Sequence, residues 1–233
     1  MTDASPVRVS ILASGGGSNF QALIDRFEGG SEVRLVGLAA SREGTGAEAR
    51  ARRHGIAARV IPGDAREREG GESDFLARCL DDWGTELVVL AGYLRLVPAE
   101  VVGAFRGRII NIHPALLPAF GGKGMYGSRV HRAVVASGAR VSGATVHFVD
   151  EAYDRGPIIA QWPVPVLSGD TPQALAGRVL EIEHRLLPAV VRALARGRVR
   201  LSEEGQVRWV EEWFDGERFE LGTGEPGTPG RRE

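Results

Sequence analysis

The stretch Val7-Arg8-Val9-Ser10-Ile11-Leu12-Ala13-Ser14-Gly15-Gly16-Gly17-Ser18-Asn19-Phe20 decides the fold. Its first half is an apolar run of the length of a buried strand. Three consecutive glycines break it, and apolar residues then recur at helical spacing over 20–27. Backbone N–H groups in such a loop, together with the positive end of the helix that follows, can hold an anion. The loop is not a dinucleotide fingerprint, because Phe20 stands where the third glycine belongs, and no Gly-Lys-Ser/Thr follows to make a P-loop. A small phosphate monoester suits it better than a nucleotide. The alternative is a tight turn with Ser18 or Asn19 as helix cap.

Outward from this unit the pattern repeats. Strands are predicted over 33–40, 57–61, 87–91 and 108–111. Helices are predicted over 46–54, over 73–83 with Ser73 as cap, and over 98–105, with a charged loop at 66–72. Strands alternating with helices at this spacing give a mainly parallel sheet with right-handed crossovers. The pattern changes after Asn111. Residues 120–128 hold four glycines and read as a mobile loop. A helix over 130–137 precedes strands over 141–149 and 158–166, and Pro163 and Pro165 favour an edge position for the second. A long helix over 171–196 starts with Thr171 as cap and Pro172 at its first position, and Pro188 is expected to break or kink it. A small hairpin pairs 199–201 with 207–209. The expected class is α/β: a mainly parallel central sheet with helices on both faces and a C-terminal mixed-sheet part. Residues 1–221 are expected to form one domain, and 222–233, rich in Gly, Pro and charge, a disordered tail.

Composition narrows the function classes. The chain has 233 residues, 43% hydrophobic and 25% charged, with a net charge of −1, so no global field favours nucleic acid or an anionic membrane. Cys79 is the only cysteine, which fits a reducing cytosol, and its place in an amphipathic helix marks it as a buried, inert thiol. Residues 1–6 show no signal-peptide pattern and no apolar run is long enough to span a bilayer, so a cytoplasmic location is expected.

Ile109-Ile110-Asn111-Ile112-His113-Pro114-Ala115-Leu116-Leu117-Pro118 carries the chemistry. Asn111 and His113 share one face at a strand's carboxyl end, where open α/β sheets bind ligands. An imidazole exchanges protons near neutral pH, and an amide can hold a developing oxyanion, so the pair points to acyl or formyl transfer. A nearby carboxylate would favour the imidazolium. Asp154 and Asp150, in the connection 150–157, are both candidates, and position alone does not separate them. His147 faces either the site or a neighbouring strand, His131 is a candidate helix cap, His54 is a solvated helix-end residue, and His184 adjoins Glu183. No His-Glu-x-x-His or paired-cysteine spacing is present, so no metal is expected. Gly92-Tyr93-Leu94-Arg95-Leu96-Val97 follows another strand. Arg95 there is either a surface arginine or part of a backbone wall to a flat apolar pocket.

These pieces resemble the glycinamide ribonucleotide transformylases, the folate-dependent formyltransferases of purine synthesis. The resemblance rests on Ser14 to Gln21, Leu90 to Arg95, Asn111-Ile112-His113-Pro114 with Leu116-Leu117-Pro118, Val146-His147-Phe148-Val149, Asp154 with Gly156-Pro157, and Glu183-His184. It implies a Rossmann-like formyltransferase fold. It further implies that the amino group of N1-(5-phospho-D-ribosyl)glycinamide attacks the formyl carbon of 10-formyltetrahydrofolate. On that basis Asn111 and a protonated His113 stabilise the oxyanion, while Asp154 raises the histidine's pKa and helps move the proton through water. Gly16, Gly17, Ser18 and Asn19 hold the phosphate, and Glu183 the ribose. Leu94, Arg95, Leu96, Val97, Asn111, Val149, Asp150, Glu151, Ala152, Tyr153 and Asp154 line the folate pocket. The partners implied are these two small molecules, with no nucleic acid or membrane, in a monomer or homodimer. Leu180 departs from a polar contact in some members, Arg66 and Arg68 are both candidates for the folate tail, and loop 120–129 is either a lid or inert. Among relatives sharing the Asn-x-His-Pro site, a tRNA formyltransferase needs a further nucleic-acid-binding domain and a basic surface. A formyltetrahydrofolate hydrolase carries an N-terminal regulatory domain, and amino-sugar formyltransferases lack such a phosphate loop. A non-catalytic anion-binding module would not need Asn111, His113 and Asp154 together.

Overall fold

The computed structural model describes residues 5–65 and 70–210, so the expected tail at 222–233 and the candidates Arg66 and Arg68 lie outside the described residues. Seven strands form one sheet: β1 (Val7–Ala13), β2 (Val33–Ala40), β3 (Ala57–Val60), β4 (Leu87–Leu90), β5 (Ile109–His113), β6 (Val141–Phe148) and β7 (Ile158–Pro165), in the order β3-β2-β1-β4-β5-β6-β7. The first five are parallel, and β6 and β7 are antiparallel additions to the same sheet, with proline-bearing β7 at its edge as expected. A separate two-stranded hairpin pairs β8 (Val199–Leu201) with β9 (Val207–Trp209).

Both faces of the sheet are covered. In β1 and β4, Val9, Ile11, Ala13, Leu87 and Val89 point to one side. There they meet α1 (Ser18–Phe27), α2 (Gly46–Arg53), α5 (Ser128–Ala136) and α6 (Pro172–Ala195). Leu12, Val88 and Leu90 point to the other, against α3 (Gly71–Asp82) and α4 (Ala99–Ala104). This two-residue alternation in continuously apolar strands is the mark of a doubly covered parallel sheet. Cys79 lies in α3, buried, and burial pushes its thiol pKa up, so the inert reading holds.

Strand order places the site. The chain runs outward from β1 to β3 and returns to set β4 on the other side of β1, which makes a switch point at the strands' carboxyl ends. The loops after β1 and β4 meet there: the Ser14 N–H donates to the Gly92 carbonyl at 3.1 Å, and the Leu94 N–H to Ser14 Oγ at 2.9 Å.

The structure departs from the sequence expectations at several boundaries. Helix α1 starts at Ser18 with no side-chain cap, because Gly17 adopts the left-handed conformation (φ 74°) that begins it. Helix α3 starts at Gly71 rather than at Ser73. Gly70 supplies the left-handed turn, and the Ser73 hydroxyl donates to Glu100 instead. Helix α6 is unbroken through Pro188. A proline inside a helix costs about 3 kcal/mol. Leu186, Leu187, Val190 and Val191 are all buried around it, at about 1.5–3 kcal/mol each, and outweigh that cost. Strand β5 runs on to His113, so Asn111 and His113 are true alternate positions of one strand. The loop expected to be mobile is tied down: Phe120 and Met125 pack on the core, and the Gly122 N–H donates to Asp154 Oδ2 at 2.8 Å.

The return from β6 to β7 depends on Gly156. A Cβ there would lie 1.9 Å from the Phe148 carbonyl oxygen and 3.3 Å from the Asp150 nitrogen, and backbone cannot step aside. Gly156→Ala is expected to lower stability by about 1–3 kcal/mol, seen as a lower urea midpoint at unchanged m-value. Gly177→Ala, on the exposed surface of α6 with nothing within 4 Å of the added carbon, is expected to raise it by up to about 1 kcal/mol.

Candidate active site

Four polar side chains converge where β5 ends. Asn111 and His113 come from alternate positions of β5, and His147 sits opposite Asn111 on β6. Asp154 reaches them from the β6–β7 connection. Its Oδ1 lies 3.3 Å from Asn111 Nδ2, 3.5 Å from His113 Nδ1 and 3.7 Å from His147 Nε2, while its Oδ2 accepts from Gly122. Geometry therefore separates Asp154 from Asp150, whose carboxylate closes a local turn by accepting from the Ala152 N–H. Asp154 and Phe120 are the two non-glycine residues with positive φ among the described residues, at 54° and 55°. Strain of this kind persists where surrounding contacts enforce it, commonly at functional sites.

Burial and charge compete at His113. The Asp154 charge raises its pKa, as expected, and the Phe120 carbonyl adds to that, but burial is the largest effect and the net shift is below the ordinary imidazole value. Both ring nitrogens nevertheless have an acceptor to donate to when the ring is protonated: Nε2 lies 2.9 Å from the Phe120 carbonyl and Nδ1 faces the carboxylate. For Asp154, burial would raise the pKa, but the His147 ring, the His113 charge and the Gly122 N–H together hold it below the carboxylate range. Asn111 Nδ2 also lies 3.1 Å from His147 Nε2, whose other ring nitrogen is bonded to the Phe148 carbonyl at 2.7 Å.

These groups open onto a cavity of about 630 Å³ that Ser18, Asn19, Asn111, His113, Asp154 and Glu183 all line. The glycine loop is locked behind it. A Cβ on Gly17 would meet Ala47 Cα at 2.8 Å, and one on Gly46 would meet the Gly16 carbonyl at 2.7 Å, so only glycine lets α2 pack this closely. The Gly15 and Gly16 carbonyls accept from the Ala47 N–H and from Arg50. Helix α1 has no acid in its first turn and no side-chain cap, which suits its N-terminus to an anion. Glu183 is almost fully buried and its pKa is pushed up to about 7 by burial, slightly relieved by the Asn19 amide at 3.4 Å.

Other expected residues sort clearly. Gly16 and Gly17 stand behind Ser18 rather than in the cavity wall. Of the expected folate wall, Leu94, Asn111, Tyr153 and Asp154 line the cavity, whereas Arg95, Leu96, Val97, Val149, Asp150, Glu151 and Ala152 do not. The Arg95 guanidinium is turned to the Ser41 carbonyl and to Glu72, and Val97 is buried in the core under α3 and α4. Leu180 lines the cavity as an apolar residue. His147 turns its Nε2 to Asn111 and Asp154, and His131 is not a cap but the fourth residue of α5, in the cavity wall. His54 is half-buried and pairs with Glu28.

Sequence reasoning missed Thr145 and Gln161, which fix the loop after His113. The Leu117 N–H donates to Thr145 Oγ1, which itself donates to the Ala115 carbonyl, and Gln161 donates to the Leu117 carbonyl. Thr145 precedes His147 by one alternation on the same strand face, the only signal that could have found it. Glu72 was missed as well: it accepts from the Tyr93 hydroxyl at 2.9 Å and so steadies the wall after β4. Among the described residues no group of three or more His, Cys, Asp or Glu is placed to hold a metal ion, and no helix is long and apolar enough to cross a membrane.

Residues 7–191 match the formyl transferase family. The chain is 48% identical over 200 residues to the chloroplastic phosphoribosylglycinamide formyltransferase of Arabidopsis thaliana, covering 85% of this chain and 68% of that one. It is 34% identical to the phosphoribosylglycinamide formyltransferase of Escherichia coli, covering 91% of this chain and 96% of that one. Among solved structures, glycinamide ribonucleotide transformylase 1 from Symbiobacterium toebii superposes with a TM-score of 0.82 at 37% identity, covering 91% of this chain and all of that one. With the formyl transferase match spanning most of its length and near full-length likeness to the Escherichia coli and Symbiobacterium toebii enzymes, the chain belongs to the formyl transferase family, among the phosphoribosylglycinamide formyltransferases.

Proposed function

We propose that this chain transfers the formyl group of 10-formyltetrahydrofolate to the amino group of N1-(5-phospho-D-ribosyl)glycinamide, with Asn111, His113 and Asp154 as its catalytic residues. The observation that carries the reading is one cavity lined both by the amide–imidazole–carboxylate trio and by Ser18, Asn19 and Glu183. A nucleophilic amine carried on a phosphorylated sugar needs both halves at once.

The amine lone pair forms the new C–N bond while the formyl C=O pair moves onto oxygen. The longer of the two Asn111 N–H contacts, that to Asp154, is the one we assign to this oxyanion. His113 Nε2–H leaves the Phe120 carbonyl for the same oxygen, and Asp154 stays on Nδ1. Negative charge forming beside the ring raises its proton affinity at the moment it is needed, so the stabilisation is greater in the transition state than in the ground state. The amine loses one proton, and the folate N10 takes one up as its C–N bond breaks, giving the N-formyl product and tetrahydrofolate with no net release. Asp154, its pKa held below the ordinary carboxylate value, stays ionised and accepts a hydrogen bond from the water that relays the proton, without holding that proton itself. Ser18, Asn19 and the α1 N-terminus bind the phosphate, with Gly16 and Gly17 shaping that loop. Glu183 binds a ribose hydroxyl, and the wall after β4 with Tyr153 and Asp154 receives the folate.

Formyl transfer followed at the folate chromophore, with and without acceptor, tests the reading. Wild type should turn over only with acceptor, and His113→Ala or Asn111→Ala should each lower kcat by about 10²–10³-fold. Folate consumption without acceptor would sink it in favour of hydrolysis. With protonated His113 as the active form, activity should fall as pH rises through its pKa. Asp154→Asn removes the main charge holding that pKa up, so the fall should move to lower pH.

Glu183 gives a stability prediction. Its folded pKa of about 7 lies above the ordinary 4.5, so between these values the unfolded chain ionises while the folded one stays protonated. Stability from this group is therefore complete below the lower value, falls as pH rises to about 7, and is level above it. Measured without substrate, Glu183→Gln should gain on wild type between pH 5 and 8 by up to about 3 kcal/mol. An unchanged difference across that range would refute the raised pKa.

A further inference from the structure

His131 is a buried polar group in the cavity wall to which the reaction above assigns no part. It lies on α5, 6% exposed, and lines the same cavity as Asn111, His113 and Glu183. Its Nδ1 is sealed from solvent and has no hydrogen-bond partner among the described residues. Among the described residues Nε2 has no partner either, and it is not sealed, so in this cavity wall it is the ring nitrogen free to face a ligand. Sealing also selects the tautomer. An orphaned buried N–H is rarer and more costly than an orphaned lone pair, so the proton sits on Nε2 and Nδ1 keeps its lone pair.

Charge points the same way. Burial and then the charge of His113 both push the His131 pKa down, so His131 does not compete with His113 for a proton. Near neutral pH it is an uncharged donor on a helix whose Val130 and Val134 are fully buried, and its ring position is therefore fixed.

Resting on the function proposed above, we infer that His131 is a further substrate-positioning residue, whose Nε2–H donates a hydrogen bond to the glycinamide carbonyl oxygen of the acceptor. The phosphate, the ribose and the reacting amine already have assigned partners, at Ser18 and Asn19, at Glu183, and beside His113 and Asp154, which leaves the amide, whose carbonyl suits a donor. The carbonyl is one carbon from that amine, and His131 is close enough to His113 to feel its charge. A bond there fixes the amine's approach to the formyl carbon and discriminates against acceptors without an amide, because a site built for a hydrogen bond rejects a molecule that cannot make it.

The test pairs kinetics with binding for wild type, His131→Ala and His131→Gln, whose amide nitrogen can reach the place of Nε2. Titration calorimetry with glycinamide ribonucleotide and with ribose 5-phosphate, which has the phosphate and sugar but no amide, supplies the second readout. His131→Ala should weaken glycinamide ribonucleotide by about 10- to 100-fold in both KM and Kd. Ribose 5-phosphate affinity and the KM for 10-formyltetrahydrofolate should stay as in wild type, and His131→Gln should recover part of the loss. Equal weakening of both sugar phosphates, or no weakening of either, would overturn the inference. If His131→Ala does not fold, the comparison rests on His131→Gln, where a selective loss smaller than tenfold supports the inference and an equal loss for both ligands overturns it. Wild type that binds ribose 5-phosphate but shows no acceptor-dependent turnover would instead overturn the function on which the inference rests.

Discussion

The carboxylate of Asp154 ties the β6–β7 connection and the glycine-rich loop to the paired strands β5 and β6. One oxygen faces Asn111 and His113 from β5 and His147 from β6, and the other takes the Gly122 N–H from the glycine-rich loop. Asp154 holds positive φ to do this, and Gly156 lets the chain turn back under the Phe148 carbonyl just beyond it. Without that anion two buried imidazoles would face one another with nothing between them. The 120–128 segment would also lose the bond that folds it over the cavity.

The same anion sits against burial. His113 is pulled toward protonation by Asp154 and away from it by the loss of water, and burial prevails. A site tuned this way keeps its proton affinity in reserve. Charge that develops on a reacting oxygen meets a ring whose two nitrogens already face acceptors. Glu183 shows the opposite outcome: with only the Asn19 amide at 3.4 Å, it has too little support to stay ionised at ordinary carboxylate pH. Two carboxylates in one cavity thus differ in state because one has several positive or N–H neighbours and the other has one weak donor.

Much of this was legible before any coordinates. Glycines at 15–17 after an apolar run announced the loop that α2 presses against, and alternation placed Asn111 and His113 on one face of β5. Other features were not legible. Ser73 looked like a cap because its type suits one, but Gly70 began the turn first and Ser73 bonded to Glu100, a residue of a different helix. Pro188 looked like a helix end because local rules see its missing N–H and not the aliphatic side chains packed around it. Arg95 looked available to a ligand, yet its partners, Ser41 and Glu72, are distant in sequence.

The sequence by itself determined the α/β alternation, the glycine loop, the β5 pair and the family resemblance, because each is written in residue types at short, fixed spacing. Only the tertiary structure decided that Asp154 and not Asp150 reaches the imidazole, that His147 turns inward, that His131 stands unpartnered in the wall, and which way the His113 and Glu183 pKa values move. Those outcomes depend on distance and burial between residues tens of positions apart. Spacing along a chain fixes the face of a strand, but it does not fix the solvent or the charges that the face will meet.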